Sequence, residues 1–492
     1  MKKGERVQIL GVGVDPLRFG DVVATIDRMI QQKVPRQVVT VNPEFIMRSR
    51  RDTTYRKILN SADLATADGF GIRVAASYLN IPITWVPVVR EVQAFFQGIW
   101  IAWQAVTNRA YFRDVPDVVT GTDLIPELAK LAAERGYSMY LLDKKGGLGQ
   151  DTPKAVAERL RLLYPQLNIV GAETVDSGSQ TVIRRIQKAH PDILLVAFGF
   201  PLQEQFIAQH IHRLGATVAI GVGGAFDYIA GFRARPPKWL RGKFEWLWRL
   251  LIPSGHSFTE YRRRASRILT AFPLFPLAVF AWKLRWGAGL HPVTALALDF
   301  GGVTNANGVE SVVRHAWRMM HVRQYPALIL FYFRYIQDLE LGKIAEVEVW
   351  TKFMRYIGTK RDLAELRQSM IEGFVPNEPI WEIVRRVKND QSVRLALLTN
   401  NIAEWMRIWE KEYHLSDYFD PIIASCFVKK RKPNPAIFRL LTKELGIPPG
   451  ETIFVDDHRR NVLMARRLGF RAIHCSDPRA AAEDLREILP TA

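Results

Sequence analysis

Polar groups with chemical potential gather in this chain at the ends of short apolar runs, where a parallel sheet would present them side by side. TVNPEF (40–45) sets Thr40 and Asn42 just past such a run, as neutral hydrogen-bonding partners for a hydroxyl or phosphate oxygen. ADGFGI (67–72) holds Asp68 in a glycine-flanked bend. A carboxylate there either takes a proton from a reacting group, or shapes its own turn or caps a helix. FGFPLQEQF (198–206) carries Gln203 in a loop expected to be exposed, within reach of a ligand oxygen. GVGGAFDYIAGFRARPPKWL (221–240) opens with Gly221, Gly223 and Gly224, which let backbone approach a diphosphate or pack closely. Asp227 is a ligand contact or a helix cap. Arg235, Lys238, Arg241 and Arg249 follow as cations able to neutralise a departing anion.

A second set lies towards the C-terminus. It comprises Asp299 in LALDFGGVT (296–304), Thr399 and Asn400 in LALLTNN (395–401), Lys432 in KKRKPNPAIF (429–438), and Asp456 with Asp457 in IFVDDHRRNVLMARRLG (453–469). Each again closes or follows an apolar run.

The elements that must hold these groups can be read from hydrophobic pattern. VVTVN, MYLLD, LNIVG, ILLVAFG and TVAIGVG read as buried strands, with amphipathic stretches such as LIPELAKLAAERG between them. That alternation predicts an α/β chain of two Rossmann-like parallel-sheet domains, the second with a small helical cap. At 492 residues, two domains are expected. Cys426 and Cys475 are too few for a disulfide framework, which predicts an intracellular chain. The start MKKGERVQILGVGVDPL lacks a sustained apolar region, which predicts no secretory signal.

Net charge of +19 predicts an anionic partner. Two stretches break the α/β pattern. In 90–109, Arg90, Gln93, Gln97, Gln104 and Asn108 share one arc of an otherwise greasy helix, which reads as core, oligomer contact or membrane-dipped surface. Residues 233–267 hold ten Lys/Arg against two Glu, and ILTAFPLFPLAVFAW (268–282) follows. Too short and proline-broken to span, this pair suits an interfacial anchor on an acidic membrane, with a solvated linker or nucleic-acid patch as the alternative. Aromatic–apolar interleaving favours lipid, so no nucleic-acid partner is expected.

Taken together, the N-terminal clusters resemble the WecG/TagA/CpsF family of glycosyltransferases over about residues 6–265. The matching pieces are T-x-N-P-E, A-D-G-x-G, T-G-x-D-L (120–124), P-x-Q-E, G-V-G-G-x-F-D-x-x-A-G and E-W-x-x-R-L (245–250). The resemblance implies inverting transfer of an N-acetylhexosamine, commonly N-acetylmannosamine, from a UDP-sugar to an undecaprenyl-diphosphate-linked sugar. It makes Asp68 the base, and assigns Thr40 and Asn42 to substrate binding. No D-x-D motif occurs in this domain, so metal-independent transfer without a cofactor is expected. Val118 stands where many members carry an arginine; a neighbour such as Arg113 would have to compensate. Segment 81–116 reads as an insert.

The second set resembles the four motifs of the haloacid dehalogenase (HAD) superfamily over residues 294–492. That resemblance implies Asp299 as nucleophile, Thr399, Asn400 and Lys432 on the phosphate, and Asp299, Asp456 and Asp457 around Mg²⁺. Gly301 occupies the position of the usual second aspartate, so phosphatase chemistry and a ligand-binding or structural role both stay open. The expected layout is 1–253 transferase-like, 254–292 a membrane-associating linker, and 293–492 HAD-like with a cap at about 305–385. Partners expected are a UDP-sugar, a polyprenyl-diphosphate-linked acceptor, an acidic membrane surface at the cytoplasmic face and a second copy of the chain. A Mg²⁺-dependent phosphatase with a sugar-nucleotide-binding N-terminal part, and a non-catalytic membrane-tethered scaffold, are the alternatives.

Overall fold

The computed structural model of the protein describes residues 6–84, 86, 88–144, 151–175, 180–232, 269–287, 289, 291–306, 334–357, 368, 372, 374–391 and 393–489. The chain divides into two compact units, Met1–Pro292 and Val293–Ala492.

Short runs of Val, Ile, Leu and Ala that are buried on both faces are satisfied only as central parallel strands. In the first unit β1 (Val7–Ile9) and β2 (Val12–Val14) form a small antiparallel pair. The main sheet comprises β3 (Arg36–Val41), β4 (Leu64–Ala67), β5 (Ser138–Lys144), β6 (Asn168–Val175), β7 (Ile193–Val196) and β8 (Val218–Gly221). All pairs are parallel, in the order β4-β3-β8-β7-β5-β6. The strand pleat divides the core in two. Ile193 and Leu195 of β7 join the cluster on one face, and Leu194 and Val196 join the other.

The helices of this unit are α1 (Phe19–Gln31), α2 (Pro43–Ser49), α3 (Thr53–Ser61), α4 (Phe70–Asn80), α5 (Val89–Thr107), α6 (Gly121–Arg135), α7 (Thr152–Leu163), α8 (Gln180–Ala189), α9 (Leu202–His210), α10 (Ala225–Ile229) and α11 (Phe275–Trp286). Their starts explain several motif residues. Thr120 caps α6, accepting from Asp123 N at 3.2 Å. Gly121 follows because a Cβ there would meet Val222 O at 3.1 Å, so the T-G-x-D-L stretch packs directly against the glycine turn after β8.

The apolar part of the expected linker belongs to this unit. Along α11, Phe275, Trp282 and Trp286 are buried, and the helix packs on α4 and α5. Residues 254–268 lie outside the described residues.

In the second unit a five-stranded parallel sheet runs β11-β10-β9-β12-β13, from β9 (Ala295–Leu298), β10 (Arg394–Thr399), β11 (Ile422–Ala424), β12 (Thr452–Asp456) and β13 (Arg471–His474). Much of the expected cap lies outside the described residues; a helix at Glu346–Ile357 is described within it. Helix Glu378–Asp390 buries Ile380, Ile383, Val384 and Val387 and packs on β10, so residues 378–385 flank the sheet.

Candidate functional site

The first site follows from register. Val41 of β3 pairs with Ala67 of β4, so Asn42 and Asp68 leave the sheet at the same level on adjacent strands. Asp68 N donates to Val41 O at 2.7 Å, fixing the bend. Gly69, at φ 113°, then heads α4 in a conformation that side-chain-bearing residues rarely adopt. Asp68 is half-buried. Asn42 caps α2, its Oδ1 accepting from Phe45 N at 3.1 Å.

Two expectations change here. Thr40 is 5% exposed, and its hydroxyl donates to Gly221 O at 3.4 Å across β3 and β8. It therefore ties two strands beneath the site. Gln203 is in no exposed loop: it sits in the first turn of α9, 2% exposed. Its Oε1 accepts from Gly199 N at 3.1 Å and Gly223 N at 2.9 Å, and its Nε2 donates to Glu204 Oε1 at 2.6 Å. With its amide so committed, Gln203 clamps the loop after β7 to the turn after β8. Gly221 is glycine because a Cβ would lie 2.7 Å from Gln203 Nε2, a packing reason. Gly223 takes φ 51° and offers its N–H to the clamp, whereas Gly224 is exposed, with open space where a Cβ would be.

Asp227 lies in the first turn of α10, partly buried. Asp143, near the end of β5, lies close enough to Asp227 for their charges to interact, and the sequence reading, which looked for a D-x-D pattern, passed it over. Burial pushes its carboxyl up to about 6, with Asp227 adding to the rise and the Lys144 N–H opposing it. Arg235, Lys238, Arg241 and Arg249 lie outside the described residues.

Two arginines were also missed. Arg73 on α4 and Arg109 just beyond α5 hold their guanidinium carbons 5.7 and 4.8 Å from the Phe70 ring, two residues past Asp68. Arg73 donates to Val115 O at 2.8 Å and Phe112 O at 2.6 Å, and burial lowers its pKa. Arg109 differs: its Nε and Nη2 are buried without a hydrogen-bond partner among the described residues. Such a cation is poised for an anionic ligand. Arg113, the expected substitute, is exposed and bonds Ala110 O at 3.4 Å.

The second site gathers on neighbouring strands β9 and β12. Lys432 Nζ, fully buried, bonds Asp299 Oδ2 at 2.8 Å, Asp456 Oδ2 at 2.6 Å and Leu398 O at 2.7 Å. Burial works against its charge, but Asp299 and Asp456 outweigh that and raise its pKa. Asn400 does not face a ligand: its Oδ1 accepts from Lys432 N at 2.8 Å and its Nδ2 donates to Lys432 O at 3.0 Å. Thr399, at the end of β10, is 1% exposed. Asn461 and His458, both unforeseen, donate to Asp456, and His458 pairs with Asp457 at 2.6 Å. That bond pushes the imidazole up to about 9. The Asp299 carboxyl is raised by burial, Lys432 opposes the rise, and Asp456 and Asp457 add to it. The three carboxylates thus face two positive charges, Lys432 on Asp299 and Asp456 and the imidazolium of His458 on Asp457. Asp456, Asp457 and His458 lie close enough together to hold a metal ion, and the surplus of negative charge fits a divalent cation there, with Asp299 beside it by resemblance.

The model of the glycosyl transferase WecG/TagA/CpsF family matches residues 7–97 and 94–288. The chain belongs to the WecG/TagA/CpsF glycosyltransferase family. A haloacid dehalogenase-like hydrolase domain, matched over 295–469, is appended to it. An N-acetylglucosaminyldiphosphoundecaprenol N-acetyl-beta-D-mannosaminyltransferase of Bacillus subtilis (strain 168) is 28% identical over 225 residues, which are 45% of this chain and 74% of the relative. The protein of that description in Staphylococcus aureus (strain NCTC 8325 / PS 47) is 27% identical over 251 residues, 50% of this chain and 85% of the relative. A HAD-like hydrolase structure from Porphyromonas gingivalis is 26% identical, covering 37% of this chain and 90% of that one at a TM-score of 0.32.

In this member of the WecG/TagA/CpsF family the Gln203 clamp rests on a buried acid. Glu204 is fully buried, accepts from Tyr55 OH at 3.2 Å and from Gln203, and burial pushes it up to about 8. Phe200, from the same loop, stacks on Phe45 of α2 at 4.9 Å. Because the folded chain binds the Glu204 proton more tightly than the unfolded chain, ionisation between the ordinary glutamate range and about pH 8 favours unfolding. Thermal melts of the wild type should therefore lose stability across that window, on the order of a few kcal/mol. Glu204→Gln should flatten the slope, and an unchanged slope in that variant would assign the pH dependence to other groups.

Proposed function

We propose that the first unit transfers an N-acetylhexosamine, specifically N-acetylmannosamine, from its UDP-sugar to a polyprenyl-diphosphate-linked sugar, with inversion and without a metal. The work belongs to cell-surface polysaccharide assembly at the cytoplasmic face of the membrane. The single observation that carries the reading is the pairing of Asn42 and Asp68 on adjacent strand ends, beside the glycine turn of β8 and the cation Arg109. The names of the Bacillus and Staphylococcus relatives support the donor and acceptor classes.

An acceptor hydroxyl is a weak nucleophile until its proton is drawn off. Asp68 accepts that proton as the oxygen bonds the anomeric carbon and the bond from that carbon to UDP breaks on the opposite face. Negative charge then grows on the departing diphosphate. Arg109, partly buried over Phe70 and with Nε and Nη2 lacking a hydrogen-bond partner among the described residues, meets it, and supplies the cation missing at Val118. Asn42 orients a sugar or phosphate oxygen through its amide Nδ2, since Oδ1 is used in the cap. Arg235 and Arg249 are assigned to the same diphosphate from the sequence.

In the appended domain, the lysine–carboxylate cluster favours a second reading, a HAD-type phosphohydrolase. Asp299 would attack phosphorus, and Thr399 and Lys432 would hold the phosphoryl oxygens. A Mg²⁺ ion at Asp299, Asp456 and Asp457 would neutralise phosphoryl charge. At Gly301 the usual proton donor is absent, so the leaving alkoxide departs without one.

Transfer of labelled N-acetylhexosamine to a lipid-diphosphate acceptor should persist in EDTA, and Asp68→Asn should lower kcat by about 10²–10⁴; full activity in that variant would remove Asp68 as base. Arg109→Ala should weaken use of the UDP-sugar by about 10–10²-fold in kcat/KM, with Arg113→Ala close to wild type. Equal losses in the two variants would reject the assignment of Arg109. Among the described residues a Cβ at Gly301 meets no atom within 4 Å, so an aspartate can begin there without a clash. Gly301→Asp should raise Mg²⁺-dependent release of phosphate from an aryl or sugar phosphate by at least about tenfold, if Asp299 is a working nucleophile. No release from either protein would leave the appended domain a binding or structural one.

A further inference from the structure

Helix α5 is turned the opposite way from a water-facing helix. Its polar arc points into its own unit: Gln93 Oε1 accepts from Thr84 N at 2.9 Å, Gln97 Nε2 donates to Pro82 O at 2.8 Å, and Gln104 is 7% exposed. The apolar side faces outward, with Phe95, Phe96, Ile99, Trp100 and Trp103 each 51–62% exposed. Alongside, α11 and the helical segment before it, Thr270–Leu274, add Leu277 and Phe272, 63% and 48% exposed, while α11 packs on α4 and α5 and the segment before it on α2. A contiguous apolar surface of this kind is rare on a monomer unless something covers it.

The geometry points to a lipid bilayer rich in anionic headgroups as the occupant, with α5 and α11 lying flat in its interface. Charge decides between this and a second copy. Arg113 beyond the end of α5 and Arg285 on α11 are exposed. The sequence entering α11 holds ten Lys/Arg against two Glu over 233–267, and the chain carries +19 overall. A second copy would set like charge against like, whereas anionic lipid phosphates complement it. Tryptophans beside phenylalanines suit the headgroup–acyl boundary. Among the described residues no helix is long and apolar enough to cross a membrane, which fits an in-plane seat.

The surface is rigidly joined to the transfer site. Lys283 of α11 is fully buried, donates to Tyr78 O and lies 4.1 Å from the Tyr78 ring. Tyr78 is on α4, the helix that starts just after Asp68. The two matched family segments meet at 94–97, inside α5, so the family pattern is interrupted where this surface stands. The docking assignment rests on the lipid-linked acceptor of the proposed function, since it gives that acceptor's membrane a seat beside the base.

The test is flotation of the full chain with phosphatidylglycerol-rich vesicles and with pure phosphatidylcholine vesicles, comparing wild type with the double variant Phe96→Glu/Trp103→Glu. Both positions are more than 60% exposed, so the variant should melt as the wild type does. Wild type should float with the anionic vesicles, and the variant should partition at least about tenfold less. Equal flotation of the two proteins, or no flotation of wild type, overturns the proposal. So does a wild-type dimer that the variant splits, with no vesicle binding by either. Transfer to a water-soluble short-chain acceptor, run in parallel, should be the same in both. If transfer is absent from both while flotation behaves as expected, the transferase reading fails and the docking surface stands.

Discussion

One buried amide holds the transferase cleft in shape. Gln203 Oε1 accepts from two backbone N–H groups, one in the loop after β7 and one in the turn after β8, and its Nε2 donates a hydrogen bond to Glu204. Glu204 in turn accepts from Tyr55 of α3, and Phe200 of the same loop stacks on Phe45 of α2. Loops from four parts of the chain are thus fixed to one another below the strand ends. An unpaired amide or acid at such depth would cost roughly 1–3 kcal/mol or more, so the set holds together as a unit. The strand-end residues Asn42 and Asp68 and the glycine turn after β8 sit on that frame, and their spacing depends on it.

That division explains which residues could be read from sequence. Strand ends were legible because apolar runs such as ILLV and VAIG, bounded by glycine or proline, have few alternatives to a buried parallel strand. Asp68 and Asn42 followed, since their positions need only local chain direction and strand adjacency. Gln203 was read as a ligand contact because a polar residue after a strand and a proline looks exposed. Only its three partners, from residues 199, 204 and 223, show that it is structural. Thr40 misleads in the same way, its hydroxyl being used on β8. Arg109 was hidden for the opposite reason: nothing near it in sequence places it by Phe70, because the turn beyond α5 must bring it back. In α5 the arc of polar residues was legible, but which side met the protein was not, since a wheel gives a face and no direction.

The appended HAD-like domain repeats the pattern with charge in place of an amide. Lys432 is surrounded by Asp299, Asp456 and the Leu398 carbonyl, and Asn400 grips its backbone from both sides. The sequence motifs place Asp299, Asn400 and Asp456 at strand ends and Lys432 in the loop before the Pro435–Leu445 helix, so the cluster's membership was visible. The division of labour was not. Asn400 positions the lysine, and Asn461 and His458 hold Asp456 through bonds made one turn into the following helix. Gly302 takes φ 76° with Asp457 close against it, so that position must stay bare. Gly301 is under no such constraint. Its glycine is therefore a chemical difference in the site, with no steric cause.

Helix α4 joins chemistry to surface in the first unit. Its N-terminus follows Asp68 and Gly69, its first turn carries Phe70 between two arginines, and its last turn is held by Lys283 of α11. Burial lowers the Lys283 amine to about 7, so charged and neutral forms are both accessible near neutral pH while the Tyr78 carbonyl keeps the helix pair together. An acceptor built on a polyprenyl diphosphate has its sugar only a few bonds from the headgroup plane. On the proposed function, the base would sit at a fixed short height above that plane. A rigid helix spanning from the base to an apolar platform supplies such a height, which a flexible tether would not. The outward apolar face of α5 and the strand-end carboxylate are thus joined through a single helix.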